Sequence, residues 1–530
     1  MRLTPRSAAT AVLSLGVIWL IWSSTGQLGP KLHVPALLKT PYLSNQYGSS
    51  DEIKDAFQHA WNGYSRYCFG QDTLHPVSNT CDNDFGGWGV TAIDALSTAI
   101  IMENENVVGQ ILNFIATLDW TIVKGGTSVQ FFEVTIRHFG GMISAYDLLN
   151  GPFAHIAKDD ALRQSLFDQM VNLGDVLVCA FKTPSGVPRN WVNPLACETD
   201  NGRTNTVAGA GSLILEFQRL SDITGNTNYG DLAKKAQSYL LNPEPKKREP
   251  YPGLLTSFIN IGDGRMAAGK GGWGSLSDSF YEYLLKAYVY DSIEFAPYLE
   301  RWKLAAESTI QYIASHPYGH PEWTLLPQWD NILLGNTMDS LTWFTGGNFI
   351  LGGMVTRNQT LIDFGLSIAD TGGALYMSTP TRLGGEFVWW TNNCKASWGA
   401  TECTPDTSVQ FSTKTFILRP ELLESWYYAY RATKDKKYRQ WAWETFQGLN
   451  RVCKTSSGFA GISDVTAPDG GVKIDKQESF LYAEILKYLY LILNDDETAP
   501  YHVQDSRTGS LNGWVLNTEA HPLRVTGPHV

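Results

Sequence analysis

The apolar residues of this chain follow a helical period over almost its whole length. From Asp51 onward they recur at spacings of three and four residues, and the two-residue alternation of a strand is scarce. The best strand candidates are Lys414–Leu418 and Leu516–Thr518. We therefore predict an all-α fold. Helices are expected over Ala56–Tyr67, Thr91–Met102, Val129–Leu149, Ala210–Thr224, Ser277–Tyr290, Glu421–Ala432, Tyr438–Thr455 and Glu478–Leu493.

Several of these helices begin in the same way, with a carboxylate beside aromatic residues. Glu133 follows two phenylalanines, Asp278 is followed within three residues by Phe and Tyr, and Glu421 and Glu478 open similar segments. A single acidic residue at a helix start is explained by capping and the helix dipole. Recurrent helical hairpins, however, suggest a closed ring in which the helix starts share one rim. Carboxylates gathered there would suit glycosidic cleavage, which needs an acid and a base.

The net charge and the aromatic content limit the classes of molecule that this chain is expected to bind. The 530-residue chain has a net charge of −11, and binding to phosphate backbones needs a basic surface, so we expect no nucleic-acid partner. The 18 Trp and 24 Tyr fit either sugar-binding surfaces or a core of packed aromatic rings.

The N-terminus has the pattern of a secretory-targeting segment. Arg2 and Arg6 precede an apolar run over residues 8–22. The run is shorter than the about 20 residues of a full membrane span, so a cleaved signal peptide and a membrane anchor both stay open. We predict a targeting segment over residues 1–26, a stalk over 27–50 and one large domain over 51–530. The large domain is expected in the secretory lumen (endoplasmic reticulum or Golgi, as a type II membrane protein) or outside the cell.

The seven cysteines agree with an oxidising compartment. Each bridge between neighbouring cysteines would contribute about 3 kcal/mol to stability, although sequence alone cannot fix the connectivity. The neighbouring pairs are Cys68 with Cys81, Cys179 with Cys197 and Cys394 with Cys403, which leaves Cys453 without a partner among them.

Asn358 begins an Asn-Gln-Thr triplet, the acceptor pattern for N-glycosylation.

Four specific motifs occur in order along the chain. They are FEVTIR at 132–137, DSFYEYLLK at 278–286, LRPELLES at 418–425 and NTEAHP at 517–522. Together they resemble the class I α-1,2-mannosidases of glycoside hydrolase family 47, and the resemblance runs from about Ala56 to Arg524.

The resemblance implies a fold and an activity. The fold would be a seven-hairpin (α/α) barrel, plugged by a C-terminal β-hairpin, with residues 51–530 as the catalytic domain. The activity would be calcium-dependent, inverting hydrolysis of terminal α-1,2-linked mannose from the high-mannose N-glycans of glycoproteins. We expect a monomer.

The resemblance also implies roles for individual carboxylates. Glu133 would act on the acid side through a water molecule, Asp278 would share or assist that role, and Glu421 would be the base that activates the attacking water. An inverting enzyme separates its acid and base by roughly 6.5–9.5 Å to leave room for that water.

A calcium site and a sugar site follow from the same resemblance. Thr518 would bind calcium through its hydroxyl and carbonyl oxygens, with waters and sugar hydroxyls completing the about 6–8 oxygens that calcium prefers. Phe480 would lie under the terminal mannose, and Arg137 and Arg419 would pair with the carboxylates and the sugar. The carboxylates expected to hold the bound waters or the mannose are Glu424, Glu478, Glu484 and Glu519.

The chain departs from the family pattern between Asp339 and Phe344. The family has Asp-His-Leu-x-Cys-Phe where this chain has Asp-Ser-Leu-Thr-Trp-Phe. Ser340 therefore replaces a His expected near the terminal sugar. Trp343 and Gly372 replace the two cysteines of a family disulfide, so both halves of that bridge are absent together.

Three other functions are alternatives to hydrolysis of α-1,2-linked mannose. A glycan-binding quality-control protein with weak or no turnover would fit the replacement at Ser340, but retention of Glu133, Asp278, Glu421 and Thr518 together argues against it. Another (α/α)-barrel hydrolase, such as a glucoamylase, would lack the family motifs. A purely structural helical scaffold would not explain acidic residues placed beside aromatic rings.

Overall fold

The computed structural model describes residues 48–393, 403–494, 496, 499, 501–505 and 510–530. The predicted targeting segment, most of the predicted stalk, and Cys394 of the third predicted disulfide lie outside these residues. Within them, no helix combines the length and the apolar character needed to cross a membrane.

Helices dominate the structure, which confirms the predicted all-α class. The α-helices are α1 (Ser50–Tyr67), α2 (Val90–Ile101), α3 (Glu105–Ile115), α4 (Phe131–Val134), α5 (Gly140–Leu149), α6 (Asp160–Leu177), α7 (Val207–Gly211), α8 (Ile214–Thr224), α9 (Asn228–Leu241), α10 (Asp278–Tyr290), α11 (Ala296–Ser308), α12 (Phe344–Thr356), α13 (Gln359–Ser378), α14 (Glu421–Thr433), α15 (Lys436–Gly448) and α16 (Leu486–Leu493). Segments of π-helix continue or precede four of them, at Thr135–Phe139, Thr309–Ile313, Leu449–Cys453 and Leu481–Ile485.

Consecutive helices pack in pairs, as the recurrent hairpin pattern predicts. Helix α2 contacts α3, α8 contacts α9, α10 contacts α11, α12 contacts α13, and α14 contacts α15. The first helix of a pair is buried on nearly all sides; every residue of α2 is buried, for example. A helix that is apolar all round belongs in the middle of a large core. The second helix of a pair, such as α15, buries one face and exposes the other.

The strands are short and antiparallel. They are β1 (Thr73–His75), β2 (Thr80–Asp82), β3 (Val129–Gln130), β4 (Trp191–Asn193), β5 (Glu198–Thr199), β6 (Thr204–Thr206), β7 (Phe258–Asn260), β8 (Trp329–Asp330), β9 (Leu333–Leu334), β10 (Thr337–Asp339), β11 (Phe387–Trp390), β12 (Val409–Thr413), β13 (Gly461–Ile462), β14 (Lys473–Ile474), β15 (Trp514–Leu516) and β16 (Pro522–Arg524). Two three-stranded sheets have the orders β3-β4-β5 and β10-β11-β12.

The strand predicted over Lys414–Leu418 is wrong. Strand β12 ends at Thr413, opposite the first residue of its partner β11, so the ladder stops there. Beyond it, Phe416 forms a single bridge with Ile462. Leu418 has φ +66°, a left-handed conformation that breaks an extended chain.

The predicted C-terminal hairpin is present and buried. Strands β15 and β16 pair with Val515 opposite Leu523, and both of these side chains are buried. The hairpin packs against α5 and α10, and it therefore places the turn at residues 517–521 among the inner helices.

Two of the three predicted disulfides lie among the described residues, and both are formed: Cys68–Cys81 and Cys179–Cys197. Cys453 has a free, buried thiol.

Trp343 and Gly372, where the family resemblance implies a pair of bridged cysteines, are packed against each other. A Cβ atom added at Gly372 would lie 3.2 Å from Cε3 of Trp343 and 2.4 Å from Cδ1 of Leu422. The indole is fully buried and fills the space that the missing side chain leaves. A large residue and a glycine therefore replace the bridge by packing.

Trp343→Ala is expected to lower the free energy of unfolding by about 3–5 kcal/mol, because truncating a buried aromatic leaves a cavity that the surroundings fill only in part. Urea unfolding measures the change. Tyr67→Ala, at an exposed aromatic, serves as the control and should change stability far less. A loss no larger than that of the control would show that the ring is not a packing element.

Candidate active site

A cavity of about 380 Å³ lies where the N-terminal ends of α4, α10 and α14 come together with the C-terminal hairpin turn. Seven carboxylates and two arginines are among its described lining residues. Ten of the eleven residues assigned to the site from sequence line it: Glu133, Arg137, Asp278, Arg419, Glu421, Glu424, Phe480, Glu484, Thr518 and Glu519. Glu478 does not; it lies 3.4 Å from Lys476 in an ion pair.

Glu133 stands at the start of α4. The side-chain oxygen of Gln130 accepts a hydrogen bond from the Glu133 backbone N at 2.5 Å and so caps the helix. Nε of Arg137, one turn later, donates to Oε2 of Glu133 at 2.8 Å. The Glu133 side chain is 30% exposed, which places it toward the mouth of the cavity.

Arg137 connects the mouth of the cavity to its base. Its Nη1 atom donates to Glu519 and to Oγ of Ser479, and lies 3.6 Å from Oδ2 of Asp94. Its guanidinium carbon also lies 5.6 Å from the centroid of the Phe480 ring. A planar guanidinium that binds several carboxylates holds them in a defined arrangement.

Asp278 begins α10 after a turn held by Asp339. Oδ2 of Asp339 accepts from both the backbone N and the hydroxyl of Ser275, each at 2.9 Å. Burial raises the pKa of Asp278 to about 7, and the carboxylates of Asp339 and Glu282 add to that shift. Asp278 is therefore placed to hold a proton near neutral pH.

Glu421 begins α14 and is 8% exposed. Its Oε2 atom has no hydrogen-bond partner among the described residues. Burial raises its pKa to about 8; Arg419, whose Nη1 lies 3.9 Å from Oε1, opposes the shift, and Glu386 and Glu424 add to it. A buried carboxylate with an unpaired oxygen is available to a substrate or a water molecule.

Arg419 and Arg137 both lie near the Phe480 ring. The guanidinium carbon of Arg419 is 5.8 Å from the ring centroid, and its Nε donates to Oε2 of Glu386 at 3.2 Å. Ser340 also contacts Glu386, through its backbone N at 2.8 Å to the carbonyl and its hydroxyl at 3.4 Å to Oε2. Ser340, at the position where the family resemblance implies a His, is thus connected to Glu421 through two side chains, those of Glu386 and Arg419.

The turn that carries Thr518 is built by Asn517. Its Oδ1 accepts from the backbone N of Glu519 at 3.0 Å and of His521 at 2.8 Å, and its Nδ2 donates to Glu216 at 2.8 Å. The backbone N of Thr518 donates to the Tyr283 hydroxyl at 3.2 Å. The side chain of Asn517 therefore fixes the backbone at the base of the cavity.

Acidic side chains outnumber basic ones at the base of the cavity. Lys286 pairs with Glu282 and lies 3.5 Å from Glu424. Burial, with neighbouring carboxylates adding, raises the pKa values of Glu484 and Glu519 well above the ordinary range.

This donor set fits a bound divalent cation, because hard cations prefer oxygen ligands and compensate such charge. Among the described residues no cluster of three or more His, Cys, Asp or Glu has the arrangement of a metal site.

Sequence reasoning missed three residues that shape the site. Glu282 lies inside a quoted motif four residues after Asp278, on the same helix face, and that spacing could have identified it. Asp339 was noted only as the start of a divergent motif. Glu386 lies in a segment without periodicity, and nothing in the sequence marks it.

The chain is similar to known proteins over most of its length. The glycosyl hydrolase family 47 model matches residues 56–525. A probable mannosyl-oligosaccharide alpha-1,2-mannosidase 1B of Aspergillus niger is 47% identical over 478 residues, 90% of this chain and 91% of that protein. A mannosyl-oligosaccharide alpha-1,2-mannosidase of Penicillium citrinum is 46% identical over 92% of this chain and 94% of its own.

A solved structure extends the match to three dimensions. The alpha-1,2-mannosidase from Trichoderma reesei superposes with a TM-score of 0.86 at 40% sequence identity, over 90% of this chain and 99% of its own. Residues 56–525, the region that matches the family, contain every lining residue of the cavity described above. The chain belongs to glycosyl hydrolase family 47.

Proposed function

We propose that this enzyme is a mannosyl-oligosaccharide α-1,2-mannosidase that releases terminal mannose from high-mannose N-glycans with inversion. The observation that carries the proposal is the convergence of Glu133, Asp278, Glu421 and Thr518 on one cavity. Two relatives, at 44–47% identity, are named as probable mannosyl-oligosaccharide alpha-1,2-mannosidases, which supports the same substrate class.

Each carboxylate has a role that its surroundings support. Asp278, whose pKa is about 7, holds a proton for the leaving oxygen together with Glu133, which acts through a water molecule. Glu421, with its unpaired Oε2, takes the proton of the attacking water. Phe480, flanked by Arg137 and Arg419, forms the surface under the terminal mannose.

We assign the cation as calcium. Thr518 would hold it with its hydroxyl and carbonyl oxygens, and Glu424, Glu484 and Glu519 would hold the waters around it. When bound, a divalent cation supplies the positive charge that favours ionised carboxylates nearby, which the role of Glu421 as a base requires.

The direct test is mannose release from a high-mannose oligosaccharide by the chain expressed in a secretory host, where its disulfides form. We expect cleavage of α-1,2 linkages with free mannose as the product, formed first as the β anomer, as seen by NMR. Binding of the oligosaccharide without any release would instead favour the glycan-binding function that the loss of the family His at Ser340 suggests.

We propose that the enzyme works as a monomer in the lumen of the secretory pathway or outside the cell. The two formed disulfides fit an oxidising compartment. Residues 8–22 would serve as signal or membrane anchor. Asn358 is exposed at the start of α13, where a glycan can be attached.

Asp339→Asn is expected to move the alkaline limb of the pH profile of kcat/KM to lower pH by about half a unit to one unit. Asp339 raises the pKa of Asp278, so removing its charge lowers that pKa, and the proton that catalysis needs is lost at lower pH. Asp330→Asn, an exposed carboxylate on the β8–β9 hairpin, serves as the control. An unshifted profile would show that Asp278 does not titrate in catalysis.

A further inference from the structure

Trp191 is the only exposed tryptophan among the described residues. It is 45% exposed, whereas the other described tryptophans are buried or partly buried. Exposing an indole costs hydrophobic free energy, and a tryptophan held at a surface is a common feature of binding sites.

The pairing of β3 with β4 places Trp191 beside the mouth of the cavity. The register sets Gln130 opposite Trp191 and Val129 opposite Val192. Residues directly opposite in an antiparallel pair project on the same face, with Cβ atoms about 4.5–5.5 Å apart. Gln130 lines the cavity and caps Glu133, and the two valines are buried on the other face. The indole therefore lies on the cavity side of the ribbon.

The ribbon that carries Trp191 is firmly held. The Cys179–Cys197 bridge ties the β4–β5 hairpin to the end of α6. The backbone N of Trp191 donates to Oδ1 of Asp200 at 3.0 Å, and the backbone N of Phe131 donates to the carbonyl of Asn190 at 2.8 Å. An aromatic on a rigid support loses little conformational entropy when a ligand binds.

The depth of the cavity decides which part of a glycan meets Trp191. Glu519 at the base has a side chain 3% exposed, whereas Glu133 toward the mouth is 30% exposed. A terminal sugar bound at the base leaves the rest of the glycan to pass the mouth. Trp191 is not among the residues that line the cavity, so it meets a sugar farther out than the disaccharide that is cut.

We propose that Trp191 is a platform for a hexopyranose of the glycan outside the disaccharide that contains the cleaved bond. The C–H face of the sugar packs on the indole, which provides a large apolar surface. The inference rests on the function proposed above, and it makes Trp191 a determinant of preference for long, branched oligosaccharides over short ones.

The test compares Trp191→Ala and Trp191→Phe with the unmodified chain on two substrates, α-1,2-mannobiose and a high-mannose oligosaccharide. For the oligosaccharide we expect Trp191→Ala to raise KM about five- to tenfold with kcat unchanged, and Trp191→Phe to recover most of the loss. For mannobiose we expect no change. The control is Ile293→Ala, which alters a 74%-exposed residue beyond the far end of α10, about 20 Å from Asp278.

Equal KM values for Trp191→Ala and the unmodified chain on the oligosaccharide would overturn the inference, and so would the same loss on both substrates. A measurement of equilibrium binding tests the inference about Trp191 independently of the proposed hydrolysis. In the Glu421→Gln background, adding Trp191→Ala should weaken oligosaccharide binding five- to tenfold, about as in the kinetic measurement. Absence of mannose release by the unmodified chain, with this binding difference intact, would refute the proposed hydrolysis but not the platform.

Discussion

Glu421→Gln should lower kcat for mannose release by about three orders of magnitude and change KM little, because a general base contributes about 10²–10⁴-fold to the rate and Gln cannot accept the proton. Gln keeps the size and the hydrogen-bonding ability of the side chain. Glu421 is the one of the three proposed catalytic carboxylates that combines deep burial with an unpaired oxygen.

Stability distinguishes loss of the base from loss of structure. Burial disfavours the ionised form of Glu421, so a neutral amide should leave Tm unchanged or raise it. Glu444→Gln, at a carboxylate on the outer helix α15 that pairs with Arg382 at 3.4 Å, is the matched control and should keep full activity. If the Glu421→Gln enzyme kept more than a tenth of the normal kcat, the general base would have to be another residue.

Removal of divalent cations with a chelator is expected to lower kcat/KM by at least about a hundredfold, in the range of the effect of losing a major electrostatic contribution to catalysis. It should also lower Tm, because a ligand present at about 100 times its Kd stabilises the folded state by about 2.7 kcal/mol. Without a cation the neighbouring ionised carboxylates would repel one another, which is consistent with the raised pKa values of Glu484 and Glu519. Added calcium should restore both activity and Tm.

Thr518→Val tests whether the effect of the chelator on Tm depends on the hairpin turn. The variant keeps the shape of the side chain but lacks the hydroxyl, so its Tm should respond to calcium much less than that of the unmodified chain. Thr121→Val, at an exposed threonine, is the control. Full restoration of activity by magnesium would contradict the assignment of calcium, because the two ions differ in size and coordination number. A chelator-resistant enzyme would contradict any metal at Thr518.

Local patterns located the predicted helices well, because helix formation depends on neighbours three and four residues apart. Six observed helices were not among the predicted segments: α3, α6, α9, α11, α12 and α13. Helix α14 was expected over Glu421–Ala432 and runs to Thr433; α10 was expected from Ser277 and begins at Asp278. The short strands were predicted poorly. Whether β12 continues from residues 409–413 into 414–418 depends on where β11 begins, and β11 lies more than 15 residues earlier in the sequence.

By itself, the sequence determined the helical class through its local periodicity, and the resemblance of its motifs to family 47 identified ten of the residues that line the cavity. Only the tertiary structure decided what those residues experience. The pKa shifts of Asp278 and Glu421 come from burial, and Glu386, Asp339 and Trp191 gain their positions through contacts between distant segments. Asp94 and His521 illustrate the reason: they are 427 residues apart in the chain and hydrogen-bonded in the fold. Solvent exclusion and long-range contacts exist only after the helices have packed.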